Sequence, residues 1–299
     1  MRQVLTLIAG LASDPLGSDV IAAARAALRE TGARLDEVRW LKPGVACDLP
    51  FEGCEAAAAE AAVRARLGGA PIDLAAQPDG EGRRKRLLVA DMESTIITGE
   101  MLDELGRLAG VEDRIVPITA RAMRGEIDFA QAVRERVALL GGLSVEVLDR
   151  VKDLIELTPG ARTLVQTMRA YGAYTALVSG GFDWFTAPVQ AACGFDEHRA
   201  NRLEIRDGRL TGRVAEPILD RTAKRAALEA LAAERGLPLD ATAAVGDGAN
   251  DIPMLRAAGL GVAFRGKAAV VAAARYRLDH ADLTGLLYLQ GYSESEFRD

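Results

Sequence analysis

The chain has 299 residues, 49% hydrophobic and 27% charged, with a formal net charge of −6 and a pI near 5.3. That length allows two domains, or one with a large insertion, and the acidic balance leaves no broad basic face to displace counterions from nucleic acid. No apolar run reaches the roughly 18 to 20 residues that span a bilayer, so small-molecule chemistry is expected, with neither nucleic acid nor membrane as partner. The three cysteines, Cys47, Cys54 and Cys193, are odd in number and lack CxxC or CxxH spacing. They argue against a disulfide framework or a zinc site and for a reducing, cytoplasmic compartment.

The opening MRQVLTLIAGLASDP has an early Arg2 and a short apolar run, the outline of a weak signal peptide, but the chain goes on as ordinary alternating structure. Residues 3–9 read as a strand. DVIAAARAALRETG reads as a helix ending at Gly32, and LDEVRWL as a second strand. EAAAAEAAVRARLGG is helical by propensity. The basic, turn-like GEGRRKR at 80–86 is expected to be the domain junction, either as a solvated run or as a binding patch.

From residue 86 apolar runs of strand length recur at 86–91, 173–178, 242–246 and 260–264, separated by helical stretches such as RTLVQTMRAYG and KRAALEALAAERG. This alternation predicts an α/β, Rossmann-like parallel sheet with helices on both faces. Residues 95–172 carry helical periodicity and almost no strand pattern, which predicts an all-helical cap at about 98–158. RLEIRDGRLTGRV reads as a hairpin turning at Asp207-Gly208. The expected division is a small α+β domain over 1–80 and a core with its cap over 81–299.

Each core strand ends in polar residues: Asp91 and Glu93 after LLVA, Ser179-Gly180-Gly181 after AYTALV, and Asp247-Gly248-Ala249-Asn250-Asp251 after TAAVG. The carboxyl ends of parallel strands line the ligand crevice, so these groups should converge. Asp91 can attack phosphorus as a carboxylate nucleophile. Glu93 can give a proton to a leaving alcohol and later take one from water. Asp247, Asp91 and a main-chain carbonyl at Glu93 offer the hard oxygens that Mg²⁺ prefers. Ser179 with its neighbouring amides, and Lys224 on the following helix, can surround phosphoryl oxygens.

These residues resemble the haloacid-dehalogenase superfamily of phosphohydrolases over roughly residues 85–285. DMESTIITGEMLDELG is similar to the first motif, with Asp91 at the nucleophile, Glu93 at the acid/base and Glu100 where the substrate amine is met. VSGGF matches the second motif through Ser179 and Gly180, Lys224 the third, and GDGAND the fourth through Asp247, Asn250 and a supporting Asp251. RGEIDFAQAVRERVALLGGL is similar to a cap segment in which Phe129 shields the site and Arg136 binds a carboxylate. The resemblance implies a Mg²⁺-dependent phosphatase acting on O-phospho-L-serine through an aspartyl-phosphate, in the last step of serine biosynthesis. It extends more weakly to an ACT-like amino-terminal module, and a homodimer is possible. The family's usual aspartate is replaced by Glu93, one methylene longer. That departure leaves two alternatives open: phosphoryl transfer to a small alcohol such as homoserine, and a weakly active sensor of phosphoamino acids.

Overall fold

The computed structural model describes residues 2–11, 15–123, 126–220 and 222–299; positions 1 and 12–14 of the opening segment, and 124–125 of a predicted cap helix, lie outside these. The amino-terminal part runs β1 (Gln3–Ala9), α1 (Ser18–Glu30), β2 (Arg34–Leu35), β3 (Arg39–Lys42), β4 (Ala46–Glu52), α2 (Ala56–Leu67) and β5 (Ile72–Pro78). Its antiparallel sheet has the order β2-β4-β1-β5, with β3 also on β4. The sequence reading found β1 and both helices but missed β4 and β5, and its single strand over 35–41 is broken into β2 and β3.

One face of this sheet packs Leu5, Leu7, Cys47, Leu49, Phe51 and Leu74 against α1 and α2. The opposite face is also buried, because it docks on the second half of the chain through Ile8, Ala46 and Ala75. Polar groups on that face are satisfied across the junction. Asp73 accepts from the backbone N–H groups of Asp279, His280 and Ala281 at 2.7–3.0 Å, and Gln77 Nε2 donates to Leu289 O at 2.6 Å. Arg83 is bidentate to Asp48, at 2.6 and 3.1 Å, with both side chains buried. The basic run at 80–86 is only partly solvated: Arg86 is exposed, but Arg83 and Lys85 are buried within the junction, the latter with its ammonium on Gly82 O and Asp240 O.

The second part continues with β6 (Leu87–Ala90), cap helices α3 (Met101–Leu108), α4 (Glu112–Met123), α5 (Phe129–Ala138) and α6 (Glu146–Lys152), then α7 (Ala161–Ala170), β7 (Tyr174–Phe182), α8 (Asp183–Cys193) and β8 (Glu197–Asn201). A hairpin of β9 (Leu203–Arg206) and β10 (Arg209–Val214) follows, turning on Asp207 and Gly208, both at positive φ as a two-residue turn requires. The chain closes with α9 (Ala223–Glu234), β11 (Thr242–Gly246), α10 (Ile252–Ala257), β12 (Leu260–Phe264), α11 (Ala268–Ala273), β13 (Tyr276–Leu278) and α12 (Gly285–Leu289).

Six parallel strands form one sheet, β13-β12-β11-β6-β7-β8, with β6 between β11 and β7. Leu87, Val89, Ala176 and Ala244 pack on one face, toward α9 and α10; Leu88, Ala90, Leu177 and Val245 pack on the other. Burial on both faces explains why these strands read as unbroken apolar runs. The cap leaves and rejoins the core along two adjacent segments, where Ile97 bridges Leu157 and Thr158 N–H donates to Ile96 O at 2.9 Å. No helix among the described residues is long and apolar enough to cross a membrane, and all three cysteines are free.

Candidate active site

The central position of β6 decides where the nucleophile stands. Asp91 extends its ladder by one bond, N–H to Val245 O at 3.0 Å, and then the chain turns sharply, with Ser94 at φ 54°. The Asp91 side chain caps the turn by accepting from Met92 N–H at 2.7 Å, through the same Oδ1 that lies 2.6 Å from Lys224 Nζ. Lys224 reaches in from the first turn of α9 and also meets Asp251 Oδ1 at 2.7 Å. All three groups are buried.

Asp91, Asp247 and Asp251 offer oxygens within 4.8 Å of one another. Burial and then the Asp251 charge push the Asp91 carboxyl well above its ordinary value, against the pull of Lys224. Burial also raises Asp247. On Lys224 burial opposes the charge, but Asp91 and Asp251 outweigh it and hold the ammonium above its normal range. Three acids against one buried ammonium leave negative charge that a cation would neutralise.

The donor set fits a small divalent ion. Among the described residues Asp247 has only loose side-chain contacts, Thr95 Oγ1 at 3.5 Å and Lys267 Nζ at 3.4 Å. Asp251, by contrast, is committed at both oxygens, to Lys224 and to Gly248 N–H at 2.9 Å. Both close contacts of Asp91 fall on Oδ1, so Asp91 Oδ2 and the Asp247 carboxylate are the oxygens least committed to partners among the described residues. The Glu93 carboxylate is not in this cluster; the metal role expected at Glu93 belongs to its main-chain carbonyl.

Glu93 turns away instead. Its Oε1 accepts from Met101 N–H at 2.8 Å, at the start of α3. A Cβ at Gly181 would stand 3.0 Å from Glu93 Oε2 and 3.1 Å from Ser179 Oγ, so the bare backbone of Gly181 leaves room for the longer acid. Burial, then the Glu100 charge, pushes the Glu93 carboxyl up to about 7, against Met101 N–H, Lys224 and Arg136.

Ser179, buried at the end of β7, receives Gly181 N–H on Oγ at 2.9 Å. Phe129, the first residue of α5, lies across Gly180, where a Cβ would come within 2.8 Å of its ring. Phe129 thus brings the cap against the second polar cluster. Glu100 precedes α3 but does not cap it; its Oε1 accepts from Ser94 Oγ–H at 2.6 Å. Burial raises its carboxyl, with the Ser94 hydrogen bond opposing.

Arg136 is half-buried on α5, where its Nε donates to Ala132 O at 3.3 Å. Burial lowers its pKa, while the charges of Asp103, Glu93 and Glu100 oppose that shift. Its neighbour Glu135 pairs with Arg121 at 2.7 Å. Arg134 points outward to Glu216. Asn250 is half-buried, close enough to Gly248 that a Cβ there would lie 2.4 Å from its Oδ1.

His198 bonds Thr186 Oγ1 at 2.7 Å and has no place in the site. Lys267, which follows β12, was missed. The signal was present, since FRGK is a polar cluster after a core strand like the other three.

A nucleophilic carboxylate at the end of a central parallel strand, a lysine bridging two acids and a helical cap define a phosphohydrolase of the haloacid-dehalogenase kind. The family model of haloacid dehalogenase-like hydrolases matches residues 88–256, and the chain belongs to that family. Among its relatives within it are phosphoserine phosphatases. The one from Streptomyces coelicolor is 42% identical over 94% of this chain and 70% of its own length. The Mycobacterium tuberculosis enzyme is 45% identical over 75% of this chain, which spans only 55% of that protein's length. Among solved structures, a hydrolase of the same family from Salmonella enterica matches 96% of this chain and 98% of its own at a TM-score of 0.81 and 29% identity. A phosphoserine phosphatase holding a phospho-aspartyl intermediate analogue is 39% identical over 68% of this chain and 98% of its own, at a TM-score of 0.64.

Proposed function

We propose that this chain hydrolyses O-phospho-L-serine to L-serine and phosphate through a phosphorylated Asp91, as the last step of serine biosynthesis. The observation that carries the reading is the lysine-bridged Asp91 with Glu93 beside it, under a cap that brings Arg136 and Glu100 to the mouth. The Asp91 carboxylate attacks phosphorus and the ester P–O bond breaks. Glu93 gives its proton to the departing serine oxygen. Water then attacks the phosphorus of the aspartyl-phosphate, its proton passes to Glu93, and the P–O bond to Asp91 breaks, restoring the carboxylate and releasing inorganic phosphate. Lys224, Ser179 and the amides beside it surround the phosphoryl oxygens as their charge redistributes.

Mg²⁺ is the cofactor that this reading assigns to Asp91 and Asp247, with the Glu93 main-chain carbonyl; when bound it neutralises charge on the acids and phosphoryl oxygens. Arg136 is placed to meet the substrate carboxylate and Glu100 its ammonium, a pairing suited to an amino acid. Asn250 completes the substrate pocket beside the fourth motif, and Phe129 excludes water. The accommodation of Glu93 beside Gly181 favours turnover over a sensing role. A cytoplasmic setting and a small molecule as the partner agree with this reading.

The test is phosphate release from L-phosphoserine, phosphothreonine, O-phosphoethanolamine, a sugar phosphate and p-nitrophenyl phosphate, with Mg²⁺ and with EDTA. Preference for phosphoserine that is lost with EDTA is the expected result. Mg²⁺-dependent release with another preferred substrate would remove the assignment of Glu100 and Arg136. Added homoserine that captured the phosphoryl group in place of water would make the chain a phosphotransferase.

A further inference from the structure

Asn201 ends β8 and is 2% exposed. The parallel pairing of β7 and β8 runs in step to Val178 opposite Arg199, then resumes at Phe182 opposite Asn201. Four steps on β7 are thus matched by two on β8, and the surplus bulges out at residues 179–181, the segment that presents Ser179 and Gly181. Bulges of this kind re-aim groups next to active sites and need something to fix them.

Here the fixing group is one carboxamide. Asn201 Nδ2 donates to Gly180 O at 2.8 Å, and Asn201 Oδ1 accepts from Leu219 N–H at 2.7 Å. The orientation of the amide is set by these partners, an acceptor on one side and a donor on the other. Leu219 lies in the segment that leads into α9, five residues before Lys224. A single buried side chain therefore ties the Ser179 loop to Leu219, a few residues ahead of the helix that carries the bridging lysine.

We propose that Asn201 is a positioning residue for phosphoryl transfer, holding the 179–181 bulge and the approach to Lys224 at the spacing that the phosphoryl group needs. It touches no reacting atom and acts through the Gly180 carbonyl and the Leu219 amide. The inference rests on the phosphatase reading above for its chemistry, though not on the choice of phosphoserine as substrate.

Asn201→Asp separates this role from mere packing. The shape is kept and the Leu219 N–H retains an acceptor, but a carboxylate cannot donate to Gly180 O. The expected result is a fall of about 10- to 100-fold in kcat/KM, shared by phosphoserine and O-phosphoethanolamine so that their ratio stays within about twofold. Inorganic phosphate should also inhibit more weakly, while circular dichroism at the assay temperature stays that of the parent. Asn201→Ser, which brings no charge, carries the same expectation and serves if Asn201→Asp does not fold.

Unchanged kcat/KM and phosphate inhibition, with only a lower Tm, would overturn the proposal. So would a loss confined to phosphoserine, because the effect would then run through the cap. If the parent released phosphate from no substrate, the phosphatase reading would fail by itself. Thermal stabilisation of parent and variant by inorganic phosphate with Mg²⁺ would still report on the bulge, and equal stabilisation of both would overturn the role of Asn201.

Discussion

Lys224 Nζ stands 2.6 Å from Asp91 Oδ1 and 2.7 Å from Asp251 Oδ1, so one buried ammonium is shared between the nucleophile and the acid that anchors the fourth motif. Lys224→Met leaves two buried carboxylates without their partner. The loss of one partner of a buried pair costs about 3–5 kcal/mol, and the loss of a preorganised charge at a transferring group lowers kcat by about 10²–10³-fold. Urea unfolding and steady-state kinetics on the same preparation check both. Mg²⁺ should return part of the stability and little of the rate, because the ion replaces charge but not the contact at Asp91 Oδ1.

The Glu93 carboxyl, pushed up to about 7 by burial and by Glu100, is protonated below neutrality and can serve as the acid for the leaving serine. The sign follows from that role: kcat should fall as pH rises through the Glu93 pKa, and a bound cation places this limb at or below about 7. In Glu93→Gln the limb should vanish together with about 10²–10⁴-fold of the rate. A pH–rate profile of the variant that kept the parent's alkaline limb would assign the proton to another group.

Arg136 lies on α5 of the cap and Glu100 at the start of α3, and the proposed reading gives both to the amino-acid end of the substrate. Arg136→Ala should raise KM for phosphoserine by about 10- to 100-fold, as loss of a charge-assisted pair predicts, and leave O-phosphoethanolamine, which has no carboxylate, nearly unaffected. Michaelis constants for the two substrates, measured side by side, decide it. Equal losses on both would mean that Arg136 shapes the cap rather than reading the carboxylate.

Gly261 in β12 admits no side chain: a Cβ there would fall 1.8 Å from the Leu255 carbonyl oxygen, a backbone atom that cannot rotate aside. Gly261→Ala should therefore destabilise by at least about 1–3 kcal/mol, the usual cost of overpacking. The midpoint of urea unfolding should drop accordingly, while the folded fraction keeps its kcat.

Asp91, Ser179 and Asp247 could be read from the sequence because each follows an apolar run, and the end of a parallel strand is the one place where such residues must converge. The amino-terminal strands were harder for a related reason. ACDLPFE and IDLAAQP bury both faces, so they do not alternate. Their Asp48, Asp73 and Gln77 look like loop residues until the partners across the junction are known. Glu93 looked too long for its position because Gly181, which makes room for it, lies 88 positions away in the chain. Local pattern shows where a strand ends; it does not show what packs against that end.

Arg83 gives the clearest case of such a hidden partner, and it can be tested. Within GEGRRKR it looks like one solvated cation among four, yet its guanidinium is buried on Asp48, 35 residues earlier, and also donates to Thr6 Oγ1 and to Leu289 O at 3.2 Å. It thereby joins β1 and β4 of the first sheet to the helix that closes the core. Arg83→Met strands the Asp48 carboxylate and should cost about 3–5 kcal/mol. Asp48→Asn in the same background removes the stranded charge, so the double variant should be more stable than Arg83→Met alone. Urea unfolding of the two single variants and the double variant gives the coupling energy. A coupling near zero would mean that the apolar contacts of Ile8, Ala46 and Ala75 hold the junction without the ion pair.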